Sequence, residues 1–250
     1  MLRRAALLLL ALGAPALAED AGEGGQCRKM RFEGTQFTAC AVDMERETLR
    51  LWLDGPDGRP FGSFSALDAH LERGGERLGI AMNGGMYHPD RTPVGHYVED
   101  GQEAMRVVTS EGPGNFGLLP NGVLCLQPRR AAILESRAFA AQEPDCLHAT
   151  QSGPMLVLDG ALHPRFIEDS DSLNLRNGVG VRDGGRTVWL AMSDGPVNFH
   201  GFARFFRDVL GTPDALYLDG SVSKLYAPQM GRRDIGLPMG PILGTAVPAG

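Results

Sequence analysis

The sequence contains no run of lysine or arginine, and its balance is acidic, with 24 basic against 30 acidic residues. Nucleic acid and anionic membrane are therefore not expected partners, because both need a basic footprint. Long apolar runs are missing too. The one at residues 5–12 is too short to cross a bilayer. No C-x-x-C occurs, which disfavours a zinc ribbon or a thioredoxin-like redox site. The absence of H-E-x-x-H disfavours a zinc protease, and no P-loop or dinucleotide fingerprint is present. "TQSGPMLV" is not a G-x-S-x-G elbow, so a serine nucleophile has little support. No internal repeat or low-complexity linker divides the chain.

The first 18 residues, "MLRRAALLLLALGAPALA", have the three parts of a secretory signal peptide. Arg3 and Arg4 form the positive start, residues 5–12 the apolar centre, and Ala16-Leu17-Ala18 the cleavage site. Export to a periplasm or to the medium is the expectation. Removal of this segment takes the net charge from −6 to −8. Four cysteines remain, Cys27, Cys40, Cys125 and Cys146, and an even count in an exported chain predicts two disulfides. Of the three possible pairings, Cys27–Cys40 with Cys125–Cys146 is favoured, since each closes a short loop beside a strand pair. Residues 19–250 read as one domain.

Glycine and proline are frequent, at 34 and 17 residues, which suits short strands broken by turns. "QFTACAV" and "TLRLWLD" read as a strand pair, and "FSALDAHLE" as a helix capped by Ser65. "RLGIAM" is a buried strand leading into Asn83. Hairpin turns are expected at Asp100-Gly101, Asn121-Gly122, Asp159-Gly160 and Asp183-Gly184-Gly185. "NFHGFARFFRDVLG" sets Phe199, Phe202, Ala203, Phe206, Val209 and Leu210 on one helical face, stopped by Gly211. "DALYLDG" is a strand ending at Asp219. The fold class is α+β: a β-rich single domain of antiparallel hairpins packed with a few helices.

Three apolar strands end in polar residues beside glycine, at Asn83, at Ser193-Asp194 and at Asp219. A strand end is a good place for a reactive group, because the sheet fixes it while the next loop opens a site. Asp100, Asp159 and Asp183 are accounted for as turn residues. Asp194 and Asp219 do not lie between alternating strands and are candidate catalytic carboxylates. Arg176 in "NLRNGVGV" has a planar fork suited to a phosphate or carboxylate, and a surface ion pair is an equal reading. His88 and His96 flank the loop "NGGMYHPDRTPVGHY". A loop histidine is more often a hydrogen-bonded residue than a catalyst.

Four segments in this order, "NGGMY…PVGHYVEDG", "QSGPMLVLDG", "RNGVGVRDGG…VWLAMSDG" and "ALYLDGSVSKLY", resemble the phosphodiester glycosidase family over residues 77–226. The N-G-G-aromatic motif falls on Asn83, Gly84, Gly85 and Tyr87, and the small-residue G-P segment on Gly153 and Pro154. The family's R-T-x-x-G falls on Arg176 to Gly180, with Asn177 in place of threonine. Its D-G-R falls on Asp194 and Gly195, with Pro196 in place of arginine. Its L-D-G-G-G-S-S falls on Leu218, Asp219, Gly220 and Ser223. There Ser221 and Val222 replace two glycines, and Lys224 replaces serine.

The resemblance implies cleavage of a sugar phosphodiester at the anomeric carbon. That reaction builds positive charge on the sugar and negative charge on the departing phosphate. A phosphate monoester leaves more readily than an alkoxide, so fixed cationic and amide donors can replace much of a general acid. On this expectation Arg176 and the Gly84 and Gly85 amides hold the phosphate. Asp219 or Asp194 steadies the sugar cation or activates water, and Asn83, His96 and Ser223 contact the substrate. No cofactor is required, though clustered oxygen ligands would suit calcium or magnesium. Two other readings stay open: a phosphodiesterase attacking phosphorus, and a non-catalytic glycan or envelope-polymer binding module on the same fold.

Overall fold

A computed structural model describes residues 26–219 and 222–250. The expected signal peptide, together with Gly220 and Ser221, lies outside the described residues. The chain opens with a hairpin of β1 (Gln26–Phe32) and β2 (Thr35–Asp43), then crosses to β3 (Leu49–Trp52). Helix α1 (Phe64–Arg73) precedes β4 (Glu76–Asn83), and β5 (Tyr97–Glu99) and β6 (Gln102–Met105) form a second hairpin. The next elements are β7 (Gly122–Gln127), β8 (Arg130–Glu135), α2 (Ser136–Gln142), β9 (His148–Ser152), β10 (Met155–Leu158) and β11 (Ala161–Leu162). A long loop leads to β12 (Asn177–Arg182), β13 (Thr187–Ser193), α3 (Phe199–Arg204) and β14 (Asp214–Asp219). The described chain closes with β15 (Leu225–Ala227), β16 (Arg232–Arg233) and β17 (Ile242–Pro248).

These strands form three antiparallel sheets, ordered β1-β2-β13-β12-β14-β10-β11, β16-β15-β4-β17-β3 and β6-β5-β9-β7-β8. The fold is therefore β-rich α+β, with few helices, as expected. Strand alternation explains how it packs. Val188, Leu190 and Met192 of β13, Leu216 and Leu218 of β14, Ile80 and Met82 of β4, and Leu124 and Leu126 of β7 meet in one central core. Their neighbours point the other way, and each outer face receives one helix. Phe202, Phe205 and Phe206 cover Phe37, Trp189 and Tyr217. Phe64, Leu67 and Leu71 of α1 cover Leu78, Ala81 and Tyr226, and Phe139 of α2 packs on Val123 and Ala149. The aromatic helix can lie this close because β12 carries glycine: a Cβ on Gly180 would sit 2.8 Å from the Phe206 ring.

Hairpin turns occur at Asp100-Gly101 and Asp159-Gly160, with all four residues at positive φ, and the Asp183 turn joins β12 to β13. Three local expectations are corrected. Gly122 already pairs with Glu135 and Ser152, so Asn121 makes no hairpin turn; β7 and β8 turn at Pro128-Arg129, where Arg129 has positive φ. Buried Asn121 instead donates to the Phe116 carbonyl at 2.7 Å. The cap of α1 is Ser63, whose Oγ accepts from the Ala66 amide, and Ser65 is the second residue of the helix. Finally, β2 and β3 do not pair. β2 lies between β1 and β13, whereas β3 pairs with the C-terminal β17, a partner too remote in sequence for local pattern to disclose. The aromatic helix also changes pitch, running on as a π-turn over Phe205–Val209.

Cys27 bonds Cys40 across the first hairpin, and Cys125 of β7 bonds Cys146 just before β9. The second bridge spans 21 residues, and closing a loop of that size stabilises the fold by about 3 kcal/mol. Replacing Cys125 and Cys146 together by serine should lower the unfolding free energy by about that amount. An unchanged denaturant midpoint would show that the bridge constrains nothing.

Candidate active site

The polar strand ends predicted from sequence converge where the three sheets meet. Asn83 closes β4 and Asn177 opens β12; both are fully buried. Asn83 Nδ2 donates to Asn177 Oδ1 at 3.3 Å, and Asn177 Nδ2 donates back to the Asn83 carbonyl at 3.0 Å. The same Asn177 Oδ1 accepts from the Asp219 backbone amide at 3.0 Å. Asn83 Oδ1 accepts from the Lys224 amide at 3.0 Å. Two side-chain amides therefore fix both ends of the segment that carries Asp219. The third sheet is tied in by Thr150 Oγ1 donating to the Gly84 carbonyl and by Ser152 Oγ donating to the Leu218 carbonyl. Gly85 has φ +150°, and a Cβ there would lie 2.6 Å from Thr150 Oγ1. Glycine is what lets the N-G-G turn rest on β9.

Beside this junction lies a cleft of about 290 Å³ lined by Met86, Tyr87, Asn115, Tyr217, Asp219 and Val222, with Val94. Asp219 is 8% exposed. Burial pushes the Tyr87 hydroxyl up to about 12, and the neighbouring Asp219 charge adds to it. Tyr217 is also pushed up to about 12, first by burial and further by Asp219, against the opposing pull of Arg176 and hydrogen bonds from Arg176 and Asn115. One carboxylate thus faces two phenols that remain protonated at neutral pH.

Arg176 stands behind Tyr217 and does not line the cleft. It is 1% exposed. Its Nε donates to the Val197 carbonyl at 2.8 Å and its Nη2 to the Ser172 carbonyl at 2.9 Å. The guanidinium lies 3.7 Å over the Phe199 ring. A surface ion pair is therefore not its role. Burial lowers its pKa, and the Tyr217 hydroxyl opposes that shift.

Asp194 sits at the same end of the seven-stranded sheet, but β12 runs between its strand and that of Asp219. Its carboxylate accepts from Thr38 Oγ1 and pairs with Arg232, which also holds Asp234. The two carboxylates stand on strands that are not neighbours in the sheet. Arg232, 36 residues beyond Pro196, supplies the guanidinium that the local sequence lacks.

The other expected contacts are placed as follows. The Gly84 amide donates to the Pro241 carbonyl at 2.7 Å, so it is not available for a phosphate. The Asn83 side chain is consumed by the junction. Ser223 Oγ lies 2.8 Å from the Asp219 carbonyl and 3.2 Å from that of Leu175, tying loops together. His96 is away from the cleft lining: its Nδ1 meets the Met105 carbonyl at 2.9 Å and its ring packs on Phe139. Asn115 and Tyr217 were not among the expected site residues, and Tyr87 was expected only as the aromatic of the N-G-G motif. For Tyr217 the signal was available, since it is two residues before Asp219 and so shares its face of β14. Among the described residues, no group of three His, Cys, Asp or Glu side chains converges as metal ligands.

The sequence matches the phosphodiester glycosidase family over residues 76–235. It is 34% identical over 188 residues to the uncharacterised protein YigE of Escherichia coli K12, covering 75% of this chain and 73% of that protein. This chain is a member of the phosphodiester glycosidase family. Among solved structures, the fold is similar to the catalytic domain of zebrafish N-acetylglucosamine-1-phosphodiester alpha-N-acetylglucosaminidase, auto-inhibited by its pro-peptide. That match has a TM-score of 0.60 and 15% identity, over 88% of this chain and 81% of the other. A hypothetical protein from Synechocystis matches with a TM-score of 0.61 and 14% identity, over 90% of this chain. The present chain spans only 62% of that structure's length. No helix of the described residues is long and apolar enough to cross a membrane.

Two outcomes follow from these contacts. Asn177→Ala leaves the Asp219 amide and Asn83 Nδ2 without their acceptor, and should cost about 2–4 kcal/mol in denaturant unfolding; a loss under about 1 kcal/mol would show the junction to be redundant. The second concerns His96, whose pKa is lowered by burial, with Glu103 and the Met105 carbonyl opposing. Its contribution is complete above the ordinary histidine range and is lost as pH falls through that range, because the unfolded chain then binds a proton that the folded one refuses. The stability advantage of wild type over His96→Asn should therefore shrink from about pH 7.5 to about pH 5.5. A constant difference would contradict this.

Proposed function

We propose that this protein hydrolyses the glycosidic bond of a sugar-1-phosphodiester, using Asp219 as the carboxylate that steadies the sugar cation or activates water. The observation that carries this reading is Asp219 itself, fixed through its backbone by Asn177 and set in a cleft between two phenols. The sugar binds with its anomeric carbon against Asp219, where the carboxylate opposes the developing positive charge.

The phosphate leaves toward Tyr217. Arg176 and Asn115 both act against the raised pKa of this phenol, which donates its O–H to the departing phosphate. A buried cation behind that donor strengthens it as negative charge grows on the phosphate. Arg176 thus acts through Tyr217 and serves as a positioning residue. Of the two N-G-G amides, only that of Gly85 remains a candidate donor to the phosphate. Asp194 belongs to the Arg232 ion-pair cluster at the rim and supports the site from there.

The zebrafish neighbour's substrate class supplies the first test compound. Purified protein with its disulfides formed should release free sugar from an N-acetylglucosamine-1-phosphodiester or from another member of a sugar-1-phosphodiester panel. Asp219→Asn should lower kcat by about 10²–10⁴, and Tyr217→Phe by about 10². Turnover that survives Asp219→Asn unchanged would remove the proposed carboxylate from the reaction.

A further inference from the structure

The turn that follows the N-G-G segment carries a cation that the hydrolysis described above does not use. His88 closes this turn: its amide donates to the Thr92 carbonyl at 2.8 Å, and its carbonyl accepts from the Arg91 amide at 2.8 Å. The Asp90 carboxylate is taken by the amide and hydroxyl of Thr92. Arg91 has φ +76°, a conformation that glycine or asparagine adopts more readily than arginine. Its guanidinium lies 5.3 Å from the centre of the Tyr87 ring, and Tyr87 lines the cleft together with Asp219. Among the described residues, the Arg91 guanidinium forms no hydrogen bond and no ion pair, in a chain with an excess of acids.

Other cations around the junction already have partners. Arg176 is buried and donates to the Val197 and Ser172 carbonyls. Arg232 holds Asp194 and Asp234, and Lys224 Nζ donates to the Leu237 carbonyl. Tyr217 gives the departing phosphate a neutral donor, which leaves its charge uncompensated. A phosphodiester carries one negative charge, and the monoester that leaves carries about two. A guanidinium meets such a group with charge-assisted and bidentate bonds. The charges around Tyr87 already have the required polarity. Burial raises the pKa of its hydroxyl most, Asp219 adds to that shift and Arg91 opposes it. A carboxylate and a guanidinium thus act on one phenol with opposite sign, and a substrate that builds positive charge at carbon and negative charge on phosphate matches them.

Resting on the reading of the cleft given above, we infer that Arg91 is the phosphate-binding residue of this site: when substrate binds, its guanidinium leaves the Tyr87 ring for a non-bridging phosphate oxygen. The long side chain makes that move by rotation, while the turn at 88–92 stays closed. Tyr217 donates to the phosphate, and Arg91 offsets the charge that collects on it. The diester is charged before its bond breaks, so the contact forms in the bound substrate and strengthens as the monoester departs. Its loss therefore reaches both KM and kcat.

The test pairs kinetics on a sugar-1-phosphodiester with calorimetric binding of methyl phosphate, a phosphate monoester that has no sugar. Arg91→Gln should lower kcat/KM on the diester by about 10–100-fold and weaken methyl phosphate binding by at least about tenfold, as loss of a charge-assisted bond implies. Wild-type affinity for methyl phosphate should fall as salt is added, and that of Arg91→Gln should fall less steeply. A purely structural role would not change that salt dependence. Arg91→Lys should recover part of both losses. An effect on only one of the two readouts, or on neither, would overturn the inference and leave the glycosidase reading intact. If no diester is hydrolysed by wild type, the glycosidase reading fails by itself, and methyl phosphate binding decides the inference. Binding at least about tenfold tighter in wild type than in Arg91→Gln supports it. Equal binding, or none in wild type, overturns it.

Discussion

The site depends on one buried contact, the reciprocal amide pair of Asn83 and Asn177. Each residue ends or begins a strand in a different sheet, and between them they take up the backbone amides of Asp219 and Lys224. An unpaired amide in a dry interior costs more than a made bond contributes. The pair is therefore all-or-none: either both sheets end in this register or several polar groups are stranded. Thr150 and Ser152 extend the same constraint to the third sheet. The position of Asp219 is thus set by the meeting of all three sheets, which is the rigidity a reactive group requires.

Electrostatics at the cleft follow from that packing. Burial, with the Asp219 charge adding to it, raises the pKa of Tyr87 and Tyr217, and both phenols stay protonated beside an anion. The positive charge is kept one layer back, where Phe199 and two backbone carbonyls hold Arg176. This layering separates charge along a line running from the carboxylate through Tyr217 to the guanidinium. The arrangement suits a bond whose breaking builds positive charge at one end and negative charge at the other. Asp194 and Asp234 share Arg232 in an ion-pair cluster at the sheet edge.

Most of the fold was legible because its cues are local. Short apolar runs marked β4, β13 and β14, Asp-Gly marked two tight hairpins, and the phenylalanine stripe marked the helix that lies over the seven-stranded sheet. What failed was non-local. β3 pairs with β17, nearly 200 residues away, and no pattern in "TLRLWLD" says so. Asn121-Gly122 has the chemistry of a turn, yet its register with β9 makes Gly122 the start of a strand. The same division holds at the site. Asp219 could be read as a strand end, but the burial of Arg176 depends on α3 and on Val197, and the use of Asn83 depends on Asn177, 94 residues further on. Arg232 as the partner of Asp194 was likewise invisible, since Pro196 occupied the expected place.

The central claim is that the bond broken lies between the anomeric carbon and the phosphate oxygen, opposite Asp219. Hydrolysis of a sugar-1-phosphodiester in oxygen-18 water tests it directly, with mass spectrometry of both products. The account predicts label in the sugar and none in the phosphate. Label in the phosphate would mean attack at phosphorus, and the layered arrangement of Asp219, Tyr217 and Arg176 would then need a different explanation.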